Sequence, residues 1–141
     1  MGSIEPRIIR ILSWNARSIR ANKIELCKFP AQMNIDVGVI TETRLNPSLN
    51  FSLPSYTFIR LDRPNQGGGG VAIIVKKGIR YNVIQHPKTN IIEAIGVKIH
   101  SLRGDITLFA VYAPRKCVDN NGSCALFLED LKKLSPIYCG W

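Results

Sequence analysis

Between residues 56 and 113 the chain repeats one pattern: short runs rich in Val, Ile, Phe and Tyr, separated by Gly, Asn, Pro or Asp. Runs of this length and composition predict strands joined by turns. Residues 56–61, 71–75, 79–84, 92–100 and 106–113 fit the pattern, with turns at 65–70 and at Gly104-Asp105. Two more apolar runs lie upstream, at 8–14 and 36–41, the second centred on Val37-Gly38-Val39-Ile40. Between them, Asn22-Lys23-Ile24-Glu25 reads as a helix start, with Asn22 as the cap and Glu25 three residues on. Ile24, Cys27 and Ala31 share the predicted buried face, and Pro30 should kink or shorten the helix. A second helix is predicted from a Ser123 cap through Leu134, with Phe127, Leu131 and Leu134 on one face. Ser135-Pro136 should end it, and 137–139 read as the start of another strand. The order is βα, a run of strands, then α and an incipient β. That is a layered α/β domain with mainly antiparallel, mixed sheets.

A chain of 141 residues suits one domain and is too short for two. Hydrophobic residues at 45% and charged residues at 21% allow a packed core and exclude wholesale disorder. The formal charge of +9 draws a small domain toward polyanions, nucleic acid before acidic membrane. The basic residues are scattered, so a merely soluble basic surface competes with that reading. Cys27, Cys117, Cys124 and Cys139 form no C-x-x-C pair, and His86 and His100 supply no zinc spacing, so thiols in a reducing compartment are expected. The first residues show no secretory pattern, and no apolar run approaches a membrane span. A nuclear or cytoplasmic protein, not secreted and without a membrane partner, is the expectation.

Three polar residues stand at the ends of predicted buried strands: Asn15, Glu42 and Tyr112. Strand ends fed by an apolar core are where α/β domains place their sites. A carboxylate there suits magnesium, which takes oxygen ligands and usually only one or two protein carboxylates. An Asn can hold a phosphate oxygen or orient a metal-bound water, and a phenol can donate to a phosphate or a leaving oxygen. Plainer readings compete: Glu42 as a surface carboxylate paired with Arg44, and Tyr112 as a half-buried aromatic with a wet hydroxyl. The Gly67–Gly70 run is not a phosphate loop. Such a loop leads from a strand into a helix, whereas this one leads into Val71-Ala72-Ile73-Ile74-Val75. The glycines instead suit positive φ in a hairpin or a close approach by another backbone.

In order along the chain, these segments resemble one family. Ile11-Leu12-Ser13-Trp14-Asn15-Ala16-Arg17-Ser18-Ile19 resembles the first motif of the endonuclease/exonuclease/phosphatase superfamily, and more closely the apurinic-endonuclease-like domain of jockey-type non-LTR retrotransposons. The segment from Ile35 to Leu45, ending Thr41-Glu42-Thr43-Arg44-Leu45, is similar to the second motif. Residues 56–63 with Gly67-Gly68-Gly69-Gly70-Val71-Ala72-Ile73 look like the family's hairpin, and Val111-Tyr112-Ala113-Pro114 resembles its next motif. The resemblance implies a four-layer α/β/β/α sandwich that hydrolyses a DNA phosphodiester to nick a target. It implies Glu42 as a direct ligand of Mg2+ (or Mn2+), Asn15 beside metal and scissile phosphate, and Tyr112 on the phosphate or leaving group. DNA would be the partner, with a reverse transcriptase domain in the parent element. The family pattern continues with Gly-Asp-Phe-Asn and later Ser-Asp-His, whereas here Gly140 is followed by Trp141. The resemblance therefore implies that residues 1–141 are an incomplete domain, its N-terminal part, holding the metal weakly and inactive alone. The alternative is a non-catalytic basic nucleic-acid-binding remnant.

Overall fold

A computed structural model describes residues 8–63, 68–85, 88–114 and 124–139, the last five as backbone. The elements are β1 (Ile11–Asn15), α1 (Lys23–Gln32), β2 (Val37–Thr41), β3 (Tyr56–Leu61), β4 (Val71–Lys76), β5 (Tyr81–Ile84), β6 (Glu93–Ile99), β7 (Ile106–Tyr112) and α2 (Ala125–Cys139). They form two sheets, one in the order β1-β2-β4-β3 and one in the order β5-β6-β7. The β1–β2 pair is parallel, as a crossover through α1 requires, and the other pairs are antiparallel. The expected mixed, mainly antiparallel α/β architecture is what the chain adopts.

The first sheet is built around β4. Val71, Ala72, Ile73, Ile74 and Val75 are all buried, because β4 lies between β2 and β3 with both faces covered. Period-2 alternation sorts them. Ala72 and Ile74 pack with Ile19, Leu26 and Ile40 on the α1 side. Val71, Ile73 and Val75 pack with Val97, Ile99 and Ala110 of the second sheet. Leu134 of α2 meets Ile92 and Ala94, with Phe127 beside them. Each fully buried Ile or Val contributes roughly 1.5–3 kcal/mol relative to exposure.

Both helices depart from expectation in informative ways. In α1 the buried residues are Leu26 and Pro30, one turn apart, while Ile24 is 66% exposed. Apolar residues surround this helix, so sequence spacing could not select the stripe that docks. The helix ends two residues past Pro30, at Gln32. Asn22 occupies the cap position without capping by its side chain. Its amide turns back and donates to the carbonyls of Ala16 (2.8 Å) and Ser18 (3.1 Å), fixing the loop after β1. In α2 the helix continues through Ser135-Pro136 to Cys139, so 137–139 are helical and begin no strand. A proline removes one N–H and bends a helix, which need not end it. Leu131 is 43% exposed, whereas its neighbour Asp130 is buried and bonded to the segment 90–92 ahead of β6. Ser123, the predicted cap, lies outside the described residues.

Among the described residues no helix is long and apolar enough to cross a membrane. Cys27 and Cys124 are free thiols. The Gly104 turn joins β6 to β7 as read, with Gly104 at φ 124 and its N–H donating to the Ser101 carbonyl.

Candidate functional site

Asn15 and Glu42 leave the same end of the first sheet. Asn15 is paired with Thr41 in the parallel ladder, and the Ala16 amide donates to the Thr41 carbonyl at 2.9 Å. Beyond that point the ladder continues irregularly. Ser18 and Ile19 donate to the carbonyls of Glu42 and Thr43, each at 3.0 Å. On the other side, the amides of Thr43 and Arg44 donate to Gly70 (3.2 Å) and Gly69 (2.9 Å). Residues 42–44 thus form a short ribbon held along both edges.

The ribbon is not a regular strand. Glu42 and Arg44 have φ of 52° and 53°, and Arg17 and Ser18 opposite them are also at positive φ. Non-glycine residues there cost on the order of 1 kcal/mol each and persist only where surrounding bonds enforce them. Gly70, at φ 86°, supplies room: a Cβ on it would collide with the hydroxyl of Thr43. Thr43 is fully buried, and its hydroxyl has no hydrogen-bond partner among the described residues. The two roles read for the glycines, positive φ and close backbone approach, therefore coincide at Gly70. Gly67 lies outside the described residues.

Tyr112 comes from the other sheet, at the end of β7. Its hydroxyl lies in the neighbourhood of the Glu42 carboxylate. Burial raises its pKa above the usual phenol value, the Glu42 charge and hydrogen bond raise it further, and Arg63 pulls it partly back. The phenol therefore stays protonated at neutral pH and serves as a donor. Glu42 is partly covered, its side chain 20% exposed, with Arg44 3.8 Å away. The Arg44 pairing is thus present, but long for a charge-assisted contact. Asn15 is exposed, and its side-chain oxygen accepts the Arg17 amide at 3.3 Å.

The structure also gathers residues that the sequence did not single out. Glu93 opens β6 and is the ladder partner of Tyr112. One of its oxygens accepts the Gly70 amide at 2.7 Å. The other receives Arg63 through Nε (2.8 Å) and Nη2 (2.7 Å). The only local signal was an acidic residue inside the apolar run Ile91-Ile92-Glu93-Ala94-Ile95.

Among the described residues no three His, Cys, Asp or Glu side chains converge tightly enough to enclose a metal ion. Glu42, with Asn15 on the adjacent strand at the same end of the sheet, suits a hard cation approached from one side, which magnesium tolerates by keeping waters and substrate oxygens. Glu93 is committed to Arg63 and Gly70.

The fold is shared with the endonuclease domain of TRAS1, a telomere-specific non-LTR retrotransposon, at TM-score 0.60 and 22% identity, over 89% of this chain and 53% of that one. It is shared also with the Xenopus laevis APE2 catalytic domain, at TM-score 0.62 and 17% identity, over 89% of this chain and 50% of that one. The class is thus a two-sheet α/β domain of the kind those structures display. Residues 12–134 match the model of the Endonuclease/Exonuclease/phosphatase family, and the chain belongs to that family. Its relatives include the RNA-directed DNA polymerase from mobile element jockey of Drosophila melanogaster, 30% identical over 107 residues, covering 75% of this chain. The probable RNA-directed DNA polymerase from transposon BS of the same species is 30% identical over 109 residues, covering 74% of this chain. The chain spans 12% of the length of each of these relatives. The resemblance carried by the four motifs is borne out.

Proposed function

We propose that this chain carries one side of the cleft of a Mg2+-dependent (or Mn2+-dependent) DNA endonuclease of the retrotransposon type. The observation that carries the reading is that Asn15 and Glu42 leave the same end of the first sheet on adjacent strands, with Tyr112 of the second sheet in the same neighbourhood. In this reading the order of α1, two facing sheets and α2 belongs to the four-layer sandwich of the complete domain. Glu42 would hold the metal with Asn15 beside it. The metal, when bound, would neutralise charge on the phosphate and lower the pKa of a bound water.

The chain's own residues then have distinct tasks. Tyr112, kept protonated, donates a hydrogen bond to a phosphate or leaving oxygen. Asn15 has an amide N–H2 to offer a phosphate oxygen, because its carbonyl oxygen already accepts the Arg17 amide. Arg17, Arg20 and Arg44 are exposed around this rim and attract the DNA backbone. Among the described residues the other carboxylate near Glu42, Glu93, is committed to Arg63 and Gly70 rather than to a water, and in this reading the chain is inactive alone. In the complete protein it would act with the reverse transcriptase, as in elements related to jockey, in the nucleus or cytoplasm.

The test combines nicking with metal binding. Purified chain with MgCl2 should leave supercoiled plasmid intact. Nicking that vanishes in Glu42→Ala would overturn the inactivity and leave the chemistry standing. Mn2+ should enhance water-proton relaxation with wild type and not with Glu42→Gln; equal signals would sink the metal assignment. The charge of +9 and the exposed arginines favour a second reading, a non-catalytic DNA-binding remnant. It requires DNA binding that weakens steeply with salt and ignores chelator.

A further inference from the structure

We infer that Glu93 is a positioning residue: it fixes the backbone ribbon that presents Glu42, and Arg63 neutralises it so that it can do so beside a second carboxylate. The inference rests on the reading of Glu42 as the metal-holding group. It begins from an otherwise unexplained arrangement. Glu93 belongs to the second sheet, yet both of its carboxylate oxygens are spent on the β3–β4 hairpin of the first. One takes the Gly70 amide, and the other takes two nitrogens of Arg63.

The consequence passes through Gly70. Its N–H is held by Glu93, and its carbonyl accepts the Thr43 amide at 3.2 Å. Gly69, next to it, accepts the Arg44 amide at 2.9 Å. A Cβ on Gly69 would collide with the Arg63 guanidinium, so the same arginine that pairs with Glu93 lies against the glycine backbone. Glu93, Gly70 and Thr43 thereby form one hydrogen-bonded line that ends next to Glu42. The line acts where the chain needs enforcement, since Glu42 and Arg44 flank Thr43 in left-handed backbone. The opposite edge of the ribbon is tied to Ser18 and Ile19. Without the Glu93 line, one edge would remain anchored and the other would rely on the glycines alone.

Charge explains why Arg63 is required. Glu42 and Glu93 both act on the Tyr112 phenol, so two carboxylates share one neighbourhood. Unpaired, Glu93 would repel Glu42 and compete for the same cation. Paired at 2.7 Å in a partly buried setting, it keeps its anchoring bond to Gly70 without doing either.

Amide hydrogen exchange by NMR on the whole 141-residue chain tests this, with Mn2+ relaxation as a second readout. In Glu93→Ala the Thr43 and Arg44 amides should exchange roughly tenfold faster or more, as loss of a hydrogen bond to a charged acceptor implies. Amides of Ile73 and Ile74 in β4 should change by less than about twofold. Mn2+ binding should weaken roughly tenfold, whereas Glu42→Gln abolishes it. Glu93→Gln, which keeps an acceptor for Gly70, should rescue most of both effects while retaining a local increase of about threefold at Thr43 and Arg44. That increase is the deciding measurement if Glu93→Ala does not fold. Unchanged Thr43 and Arg44 amides would overturn the inference, as would acceleration spread evenly through β4. Loss of Mn2+ binding in Glu93→Gln as complete as in Glu42→Gln, with exchange unaltered, would make Glu93 a ligand and overturn it too. If wild type binds no Mn2+, the metal role of Glu42 fails, and exchange alone decides whether Glu93 holds the ribbon.

Discussion

Two carboxylates at opposite ends of the described chain show what a structural acid and a candidate functional acid look like in one fold. Asp130, on α2, is fully buried and saturated. Its oxygens accept the amides of Asn90 (2.7 Å), Ile91 (2.6 Å) and Ile92 (2.9 Å) and the side-chain amide of Asn90 (3.1 Å). It bolts the helix to the strand entrance that precedes Glu93. Glu42 stands on a left-handed backbone, its carboxylate meeting the Tyr112 hydroxyl and a distant Arg44. One acid spends its whole bonding capacity on the fold. The other is held by its backbone while its carboxylate keeps capacity for something else. The backbone of Glu42, rather than its side chain, carries the structural bonds.

The largest effect should follow from the saturated acid. Asp130→Ala removes the acceptor for three backbone amides and should cost about 3 kcal/mol in urea denaturation. A loss under about 1 kcal/mol would erase the contrast between the two acids. The pH dependence has a definite sign. Burial raises the Asp130 pKa, but the bonds from Asn90, Ile91 and Ile92 outweigh it and leave the carboxyl below its usual value. Its contribution is therefore complete above the ordinary carboxylate range and is lost as the pH falls through that range to its own lower value. Wild type should lose stability on acidification more steeply than Asp130→Ala.

Next in size is the support beneath Glu42. Gly70→Ala places a Cβ at φ 86° against the Thr43 hydroxyl. Left-handed strain plus that overlap should cost about 2 kcal/mol. Thr43→Ser removes a methyl and keeps the hydroxyl, so it should not relieve the clash. Relief would mean that the hydroxyl is not what Gly70 must avoid.

These effects also mark how far the sequence could be read. The seven described strands were legible because each lies in a short, mostly apolar run bounded by turn residues, and Glu42 stood out as a candidate because it follows such a run within a segment that resembles the family's second motif. The docking face of α1 was not legible, since Ile24, Leu26, Phe29 and Pro30 crowd all sides of one short helix. Asp130 was not singled out, because nothing local announces that the segment at 90–92 will bring three amides to it. The Arg63–Glu93 pair joins residues 30 apart, one just past the end of β3 and the other on β6 of the second sheet. Local periodicity finds elements, whereas bonds between elements depend on how they pack.

The smallest predicted effect runs in the opposite direction and bears most directly on Glu42. Asn tolerates left-handed backbone better than Glu does, because its short side chain can hydrogen-bond locally. Glu42→Asn also removes one of the two negative charges facing Tyr112. It should therefore raise stability by about 0.5 kcal/mol while weakening Mn2+ binding. A residue selected for the fold should become worse when replaced, and Asp130 should. A residue kept for chemistry at a strained position should become more stable, and Glu42 should. If Glu42→Asn destabilises the chain by 1 kcal/mol or more, the contact between Glu42 and Tyr112 is structural, and the contrast between the two acids collapses.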